Sequence, residues 1–482
     1  MNAGGARQSK LCRMKLSFGT DGWRGVIADE FTFANVGRVA RAHAQALLDA
    51  GGRSAVVAHD TRFLGGAFAR SAGETLQAAG LDVTVLKGAT PTPALSYAVR
   101  AGGHAGGVMI TASHNPGQYQ GYKLKGSYGG SATPALVAEV EARLDGPATP
   151  RAAGGLNEAD VRAEYLGALA RLVDTDTIRR AGLPVYHDAM HGAAGGWIEA
   201  FTREYLGVPF HGMRATPDPL FGGVNPEPIT QNLQATMQAM RDVSGPAFAM
   251  VTDGDADRIG AVLSGGRFFN SHQIFAVLLH HLASQGKRGI VVRTVSTSGI
   301  IERLAQHHRL RVLQTPVGFK YITEAFLHGE AHPEDAVLIG GEESGGIGVQ
   351  GHVPERDGLL NGLLLQEAVA ATGLGLDEQF AQIEALVDFR HHYDRVDLHL
   401  PRPIDRAALM EDIAGLGSLG GHAVQDVVTM DGVKLVFGGG YGMVRASGTE
   451  PVVRLYVEAP SDAEVQGILN ELRERTLRHL PG

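Results

Sequence analysis

The sequence predicts an α/β protein of three or four domains, the last of which is of the α+β class. From about residue 30 to residue 370, short apolar β-rich runs alternate with segments of helical periodicity. Near residue 388 this alternation gives way to a series of strands and a final helix. The chain has 482 residues, which is too many for one ordinary core. Strands that alternate with helices predict mainly parallel sheets covered on both faces.

The first elements of the chain set this pattern. Val36, Val39 and Leu47 fall on one face of a predicted helix that ends at an Ala-Gly-Gly turn. The apolar runs at 54–60 and 82–88 predict buried strands, and the segment FARSAGETLQAAG between them predicts a helix. The alternation continues through four further apolar runs, namely LPVYHDA, AFAMVTD, RGIVVRT and DAVLIGG.

The C-terminal part is predicted to form an antiparallel sheet with a helix at its end. Its β-rich runs are HHYDRVDLHL, AVQDVVTM, GVKLVFG, YGMVRAS and VVRLYVEA. The segment DAEVQGILNELRERTLRHL follows them with helical periodicity. These elements predict an α+β domain separate from the preceding α/β domains.

Stretches rich in glycine and other loop-forming residues mark the predicted domain boundaries, at 145–155, 263–270 and 371–378. The first 13 residues are polar and lack the apolar core of a signal peptide, which predicts a disordered extension. The predicted divisions are therefore an extension at 1–13 and domains at 14–150, 151–264, 265–378 and 379–482.

Charge and composition favour a cytoplasmic protein that binds neither nucleic acid nor membranes. The net charge is −8, which disfavours both partners but is compatible with a local basic pocket for an anion. No apolar run approaches the roughly 20 residues that a membrane-spanning helix needs. The single cysteine, Cys12, permits neither an intrachain disulfide nor a cysteine metal cluster, which fits a reducing compartment.

The segment ITASHNP contains the first candidate active-site residue, Ser113. It follows an apolar run, and doubly wound sheets place ligands at the carboxyl ends of their strands. The serine could cap a helix, form a turn or carry a group covalently. A hydrolase nucleophile is disfavoured, because Ala112 and His114 replace the G-x-S-x-G pattern. Neighbouring side chains of an extended segment also point in opposite directions, which argues against a triad that uses His114.

The TDGDADR loop is predicted to bind a divalent cation. Asp253, Asp255 and Asp257 alternate along the chain after the run AFAMV, so in an extended loop their carboxylates would converge on one side. Three close carboxylates repel one another unless a hard cation such as Mg²⁺ or Ca²⁺ lies between them. An EF-hand is excluded, because Arg258 and Ser264 occupy positions that require Gly and Glu. The alternative is an acidic surface turn.

Two further loops are candidates for binding a polar, phosphorylated ligand. GGEESGG follows the apolar run DAVLI, and its Glu342 and Glu343 can accept hydrogen bonds from ligand hydroxyls. RASGTEP combines a guanidinium, hydroxyls and backbone N–H groups, which together suit a phosphate. The alternatives are a glycine-rich acidic turn and a hairpin turn. The candidate residues of the second loop and its surroundings are Arg445, Ser447, Gly448, Thr449 and Arg454.

In this order, TASHNP, DGDADR, GEESGG and RASGTEP resemble the four active-site loops of the α-D-phosphohexomutases, which include phosphoglucomutase, phosphomannomutase and phosphoglucosamine mutase. FGTDGWRG, HDTR, TPTP, VGFKYI and RDG are similar to further family motifs, and the likeness covers nearly the whole chain from Met14. The resemblance implies three similar α/β domains with mainly parallel mixed sheets, a C-terminal α+β domain and an active site in the central cleft. The domains would supply the serine, metal, sugar and phosphate loops in turn.

The resemblance also implies a mechanism. Ser113 is expected to exchange a phosphoryl group with O1 and O6 of a hexose monophosphate through a bound 1,6-bisphosphate. One Mg²⁺ per site is expected on Ser113 and the three aspartates, and glucose 1,6-bisphosphate is the implied activator. The other implied roles are catalysis by Arg24, His114, Lys123 and Arg258, and substrate binding by Lys320, Glu342, Ser344, Arg445, Ser447, Gly448, Thr449 and Arg454.

Lys123 is the first candidate for proton transfer, and Lys320 is the second. Some family members end the sugar loop with a histidine, but this chain has Gly346, so that role does not transfer. The second glutamate, Glu343, is closer to glucose-preferring forms. The expected substrate is therefore a glucose phosphate, with mannose phosphate or both sugars as the alternative. A Mg²⁺-dependent sugar phosphatase and a non-catalytic sugar-phosphate sensor are the alternatives of other classes, and the expected assembly is a monomer or homodimer.

Overall fold

The computed structural model describes residues 16–19, 22–147, 149–402, 404–446 and 452–480. The predicted extension at 1–13 and the predicted phosphate-loop residues Ser447, Gly448 and Thr449 lie outside these stretches. Within the described residues, the strands form three sheets that mix parallel and antiparallel pairs and a fourth sheet that is antiparallel throughout. This arrangement confirms the predicted fold class.

The first sheet is built from six strands: β1 (Gly22–Val26), β2 (Ser54–His59), β3 (Asp82–Ala89), β4 (Gly106–Ile110), β5 (Tyr119–Gly126) and β6 (Leu156–Ala159). Four helices belong to this part of the chain: α1 (Phe33–Asp49), α2 (Gly65–Ala78), α3 (Thr92–Ala101) and α4 (Pro134–Ala142). The strand order is β1-β5-β4-β2-β3-β6, in which β4, β2, β3 and β6 are parallel. Strand β6 extends this sheet beyond the predicted boundary at 150.

The second sheet has five strands: β7 (Val185–Asp188), β8 (Phe210–Met213), β9 (Phe248–Thr252), β10 (Ile259–Leu263) and β11 (Arg267–Phe269). Its helices are α5 (Arg162–Ala170), α6 (Thr175–Ala181), α7 (Trp197–Phe201), which continues into a π-helical turn at Thr202–Leu206, and α8 (Gln234–Ala239). The order is β11-β10-β9-β7-β8, with parallel pairs on both sides of β7. The hairpin of β10 and β11 crosses the predicted boundary at 264.

The third sheet has the order β13-β12-β14-β15, with only the last pair antiparallel. Its strands are β12 (Ile290–Thr294), β13 (Val312–Thr315), β14 (Val337–Gly341) and β15 (Ile347–Val349). The helices are α9 (Ser271–Ser284), α10 (Gly299–His307), α11 (Phe319–Ala331), α12 (Gly358–Thr372) and α13 (Leu376–Val387). Asn270 and Gln273 form a capping box that begins α9, and the Asp357 carboxylate caps α12.

The fourth sheet has the order β16-β21-β20-β19-β18-β17. Its strands are β16 (His392–His399), β17 (Ser418–Leu419), β18 (His422–Val428), β19 (Val433–Phe437), β20 (Gly440–Ala446) and β21 (Val452–Ala459). Two helices, α14 (Arg406–Ala414) and α15 (Asp462–Arg478), accompany it. The predicted strands and final helix of this α+β domain are therefore present.

The apolar core joins the first three domains and leaves the fourth with its own core. One continuous cluster contains Met109 from the first domain, Trp197 from the second and Phe275 from the third. The fourth domain buries a separate cluster between its sheet and helices. A small cluster that includes Val295 and Tyr441 connects it to the third domain. The first three domains thus share one apolar core, whereas the fourth has its own and meets the third at a smaller interface.

No single helix of the described chain has the length and hydropathy of a membrane span. Only α12 and α13 taken together, across an 80° bend, satisfy both criteria.

The buried residue His43 in α1 leads to a prediction about how the stability of the fold depends on pH. It is completely buried, and burial lowers its pKa to about 4 from an ordinary 6.5. Between these values the unfolded chain binds a proton that the folded chain excludes. The stability contribution is therefore complete above about pH 6.5 and is lost as the pH falls towards 4.

We expect His43→Gln to make the free energy of unfolding depend less steeply on pH between pH 4 and 6.5. The change in slope should correspond to up to about one proton fewer taken up on unfolding. Urea titrations followed by tryptophan fluorescence at several pH values measure this slope. His332→Gln, at an exposed position, is the control and should leave it unchanged. Equal slopes in wild type and His43→Gln would contradict the prediction.

Candidate active site

The serine, metal and sugar loops begin at the carboxyl ends of β4, β9 and β14, and they meet in one place. Ser113 Oγ donates a hydrogen bond to Asp253 Oδ2 at 2.9 Å, which joins the first two loops. The N–H of Ile259 donates to the carbonyl of Gly345 at 2.9 Å, which joins the second and third. Gly254 permits the close approach, since a Cβ there would lie 2.5 Å from the Ser113 carbonyl oxygen.

Arg62 holds the serine loop in its conformation. Its buried guanidinium pairs with Asp60 at 3.1 Å and lies over the Phe221 ring. The hydroxyl of Thr111 donates to Asp60 at 2.6 Å and accepts from the N–H of Ser113 at 2.8 Å. These bonds fix Ser113 at a φ of 53°, which is uncommon outside glycine. The guanidinium also donates to four loop carbonyls, those of Ser113, Asn115, Pro116 and Tyr119, at 2.6, 2.6, 2.8 and 3.1 Å.

The serine loop is a turn, so the expectation that Ser113 and His114 point apart is wrong. His114 Nδ1 lies 3.3 Å from Ser113 Oγ. Burial, followed by the positive charges of Arg258, Arg24 and Lys123, holds the pKa of His114 well below its usual range. The structure therefore places a neutral imidazole beside the serine hydroxyl.

The three aspartates form a buried group with the spacing of a metal site. One oxygen from each of Asp253, Asp255 and Asp257 lies within 4.8 Å of the others. They converge through a turn at Ala256, whose φ is 62°, and not through the extended loop expected from the sequence. The Oδ1 atoms of Asp255 and Asp257 are buried without a hydrogen-bond partner. Buried, unsatisfied carboxylate oxygens fit a hard divalent cation.

Buried cations balance part of this negative charge. Lys123 Nζ donates to Oδ2 of Asp255 and of Asp257 at 2.8 and 3.0 Å, and Arg356 Nη2 lies 2.9 Å from Asp257 Oδ2. Burial is the largest single influence and opposes ionisation, but the surrounding cations together outweigh it, with Lys123 foremost at Asp255 and Arg356 at Asp257, so the pKa values of both carboxyls are lowered. Burial and the two neighbouring aspartates hold the pKa of Asp253 well above its usual range.

Two predicted arginines border the serine and metal loops. Arg24, on β1, donates through Nη1 to Asn115 Oδ1 at 3.0 Å. The backbone N–H of Arg258 donates to Asp253 Oδ1 at 3.0 Å, and its Nη1 lies 3.7 Å from Glu227 Oε1. The Arg24 guanidinium is thus tied to the serine loop, whereas the Arg258 guanidinium lies beside Glu227.

The sugar loop is connected to the metal loop through Arg356. Arg356 Nη1 lies 3.4 Å from Glu342 Oε2. A Cβ on Gly346 would lie 2.1 Å from Arg356 Cδ, so the glycine makes room for the arginine where some family members carry a histidine. The Glu343 carboxylate is turned towards the third sheet and accepts from Ser296 Oγ at 2.6 Å.

Ser344 and Lys320 lie on neighbouring parts of the third domain. Ser344 is half-buried in the turn between β14 and β15. Lys320 is in the first turn of α11, with Nζ 5.1 Å from the centre of the Tyr321 ring. Their contact with substrate remains a prediction.

The fourth domain presents the two predicted phosphate-binding arginines that the structure describes. Arg445 Nε lies 3.0 Å from Asp431 Oδ2, and Arg454 Nε lies 3.4 Å from Asp397 Oδ2. Aspartates therefore balance the charge of both guanidiniums. Asp431 also accepts from the N–H of Val317 at 3.1 Å, which links this domain to the segment before α11.

Sequence reasoning did not assign roles to several residues that build the site. Arg62, Thr92 and Arg356 lie in HDTR, TPTP and RDG, which were noted only as motifs similar to the family. Thr92 Oγ1 donates to Asp255 Oδ2 at 2.6 Å. No sequence signal pointed to Glu227 or Arg395, whose proximity depends on how the second and fourth domains are placed.

A buried serine hydroxyl beside three carboxylates and several cations, where loops of three domains meet, has the chemistry of a phosphoryl-transfer site. Over residues 15–150, 163–266 and 270–386, the chain matches alpha/beta/alpha domains I, II and III of phosphoglucomutase/phosphomannomutase. Over 403–475 it matches the C-terminal domain of the same group.

Curated relatives are similar to this chain along nearly their whole length. A phosphoglucomutase/phosphomannomutase from Thermococcus kodakarensis is 31% identical over 94% of this chain and 96% of its own. A phosphoglucosamine mutase from Clavibacter sepedonicus is 32% identical over 94% of this chain and 97% of its own. The chain therefore belongs to the phosphoglucomutase/phosphomannomutase family of α-D-phosphohexomutases.

Solved structures share the four-domain architecture. A protein from Thermus thermophilus that bears the provisional designation of phosphomannomutase is 44% identical, with a TM-score of 0.86 over 96% of this chain and 99% of its own. Aspergillus fumigatus N-acetylphosphoglucosamine mutase, in complex with GlcNAc-6P and magnesium, is 16% identical with a TM-score of 0.59, over 98% of this chain and 97% of its own. At this low identity the second likeness concerns the fold alone.

The contacts of Arg62 lead to a prediction about the free energy of unfolding. In Arg62→Met, Asp60 is left buried without its cation, and the serine loop loses four hydrogen bonds. We expect the free energy of unfolding to fall by about 3–5 kcal/mol, as measured by denaturant titration. Arg70→Met is the matched control, because the Arg70 side chain is 55% exposed; its loss should be within about 0.5 kcal/mol. Equally small losses in both variants would show that Arg62 does not hold the loop.

Proposed function

We propose that this protein interconverts glucose 1-phosphate and glucose 6-phosphate by carrying a phosphoryl group on Ser113. The observation that carries the proposal is the 2.9 Å hydrogen bond from Ser113 Oγ to Asp253 at the edge of the buried aspartate group. Phosphoryl transfer requires a positioned oxygen nucleophile and fixed positive charge around the moving group. Ser113 supplies the first, and Arg24, Lys123 and Arg258 supply the second.

Each half of the reaction moves one phosphoryl group. In the first half, the bond between Ser113 Oγ and phosphorus breaks while a sugar hydroxyl oxygen bonds to phosphorus. The sugar hydroxyl loses its proton, and Ser113 Oγ gains one. Lys123, as an ammonium, and His114, as a neutral imidazole, are the proposed donor and acceptor of these protons. The second half returns the other phosphate of the bound 1,6-bisphosphate to Ser113, which regenerates the phosphoserine.

Ser113 and the three aspartates are the proposed Mg²⁺ ligands. Lys123 and Arg356 engage the Oδ2 atoms of Asp255 and Asp257, which leaves their Oδ1 atoms for a cation. When bound there, Mg²⁺ would neutralise negative charge on the phosphoryl oxygens.

Substrate would be held from both ends. Glu342 and Ser344 are proposed to bind sugar hydroxyls, and Arg445 and Arg454 to bind the phosphate that is not reacting. Contacts to O3 and O4 suit both orientations of the sugar, because a half-turn roughly exchanges these two oxygens. The separate core of the fourth domain supports closure of its arginines onto bound substrate.

Mannose phosphate is the second candidate substrate, alone or beside glucose phosphate. The 44% identical Thermus protein favours it through its designation. Glucose and mannose differ only in the orientation of O2, so one contact can decide the preference. We retain glucose because of the paired glutamates of the sugar loop. Glu343, anchored on Ser296, would act by fixing the shape of this loop.

The aspartate group predicts Mg²⁺ binding that depends on Asp257. We expect Asp257→Asn to weaken Mg²⁺ binding at least about tenfold, because it replaces a charged ligand oxygen by an amide. Isothermal titration of the purified proteins with MgCl₂ measures the affinity independently of turnover. Asp242→Asn, at an exposed position, is the control and should match wild type. Unchanged affinity in Asp257→Asn would remove the aspartates from the metal site.

The proposed reaction is tested by assaying glucose 1-phosphate, mannose 1-phosphate and glucosamine 1-phosphate side by side, with Mg²⁺ and a trace of the matching bisphosphate. We expect isomerisation of glucose 1-phosphate at the highest rate and no turnover by Ser113→Ala. Comparable glucose and mannose rates would define a dual enzyme. Net release of phosphate would identify a phosphatase, and full activity of Ser113→Ala would refute the mechanism. Sugar-phosphate binding without turnover by wild type would indicate a sensor.

A further inference from the structure

Arginines cross one face of the fourth sheet in a row. Arg445 on β20 is paired with Arg454 on β21, and Arg454 is paired with Asp397 on β16. Arg395 lies two residues before Asp397 on β16 and so projects from the same face. Arg445 and Arg454 belong to the predicted phosphate-binding set, whereas Arg395 lies outside the motifs that resemble those of the family.

Arg395 is oriented towards the second domain. Its Nε lies 3.0 Å from Asp397 Oδ1, and its Nη2 lies 3.7 Å from Glu227 Oε1. Burial opposes its charge, but Asp397 and Glu227 outweigh burial and raise its pKa. Arg395 is therefore a fixed positive charge whose Nε and Nη2 face Asp397, with Nη2 also directed towards Glu227 of the second domain.

Glu227 lies between two arginines from different domains. The same atom, Glu227 Oε1, is 3.7 Å from Arg395 Nη2 and 3.7 Å from Arg258 Nη1. Both separations exceed hydrogen-bond length, so one carboxylate oxygen only partly satisfies two guanidiniums. Arg258 follows the metal loop, and its backbone N–H donates to Asp253, the residue that also accepts a hydrogen bond from Ser113 Oγ. The pair thus lies where a phosphoryl group on Ser113 would need positive charge.

We propose that Arg395 is a further phosphate-binding residue of this site, and that Glu227 takes the place of the phosphate between Arg395 and Arg258 until substrate binds. This inference rests on the proposed function. A phosphate offers three oxygens and up to two negative charges, so it can accept hydrogen bonds from both guanidiniums at once. A carboxylate that already lies there would have to turn away as phosphate enters.

The position of Arg395 gives it a role that Arg445 and Arg454 do not have. It extends the arginine row of the fourth domain towards Arg258 beside the metal loop. Phosphate held by Arg395 and Arg258 together would also tie the fourth domain to the second, so that closure follows substrate binding.

The test is the affinity of the full-length protein, with Mg²⁺, for inorganic phosphate and for glucose 1,6-bisphosphate by isothermal titration. We expect Arg395→Gln to weaken both by at least about tenfold and to lower kcat with the best hexose phosphate about 100-fold. Arg395→Lys should recover part of the affinity, because it keeps the charge but not the forked geometry. Arg390→Gln is the control, since the Arg390 side chain is 68% exposed and pairs with Glu384.

Glu227→Gln gives an independent readout. Removing a competing negative charge should strengthen phosphate binding several-fold. If Glu227 has only a structural role, the variant should bind phosphate more weakly or equally well. Either of those results would overturn the proposal that Glu227 occupies the position of the phosphate. Wild-type affinity in folded Arg395→Gln, or no phosphate binding by wild type, would overturn the role of Arg395. The binding measurements do not depend on mutase turnover. A wild-type protein that is inactive but whose phosphate binding still depends on Arg395 would refute the proposed reaction and support this phosphate subsite.

Discussion

The burial of three carboxylates within 4.8 Å of one another is the constraint on which the rest of this site depends. Such a group is stable only if positive charge is built around it. Lys123 comes from the first domain, Arg258 from the second and Arg356 from the third, so the charge is balanced only when all three domains are packed together. The continuous apolar core of these domains provides that packing. The same arrangement leaves carboxylate oxygens for a cation and places a serine hydroxyl at their edge.

The segment at 355–358 shows how closely the fold and the site are connected. Glu355 forms a buried ion pair with Lys125 of the first domain. Arg356 reaches both the metal loop and the sugar loop, and Asp357 accepts a hydrogen bond from Tyr165 Oη at 2.7 Å while capping α12. Three consecutive charged residues therefore join three domains. We infer that a change here would alter the stability and the geometry of the site together.

The sequence was sufficient to predict the α/β alternation, the antiparallel last domain and the loops that meet in the cleft. Strand periodicity and loop composition are local properties, and the carboxyl ends of strands define where loops gather. The turns at Ser113 and Ala256 were missed, because left-handed backbone at non-glycine residues is imposed by neighbours such as Arg62. Arg395 was beyond prediction for a related reason: its meeting with Glu227 depends on the packing of one domain against another.

The central claim is that the buried site exists to carry a phosphoryl group on Ser113. The most direct test is to incubate the protein with glucose 1,6-bisphosphate and Mg²⁺ and to map phosphorylated residues by mass spectrometry of its peptides. The account predicts one phosphate per chain, located on Ser113 and absent from Ser113→Ala. When that phosphate is labelled with ¹⁸O, an excess of unlabelled glucose 6-phosphate should replace it by an unlabelled one. A phosphate on another residue, or none on Ser113 in an active preparation, would contradict it.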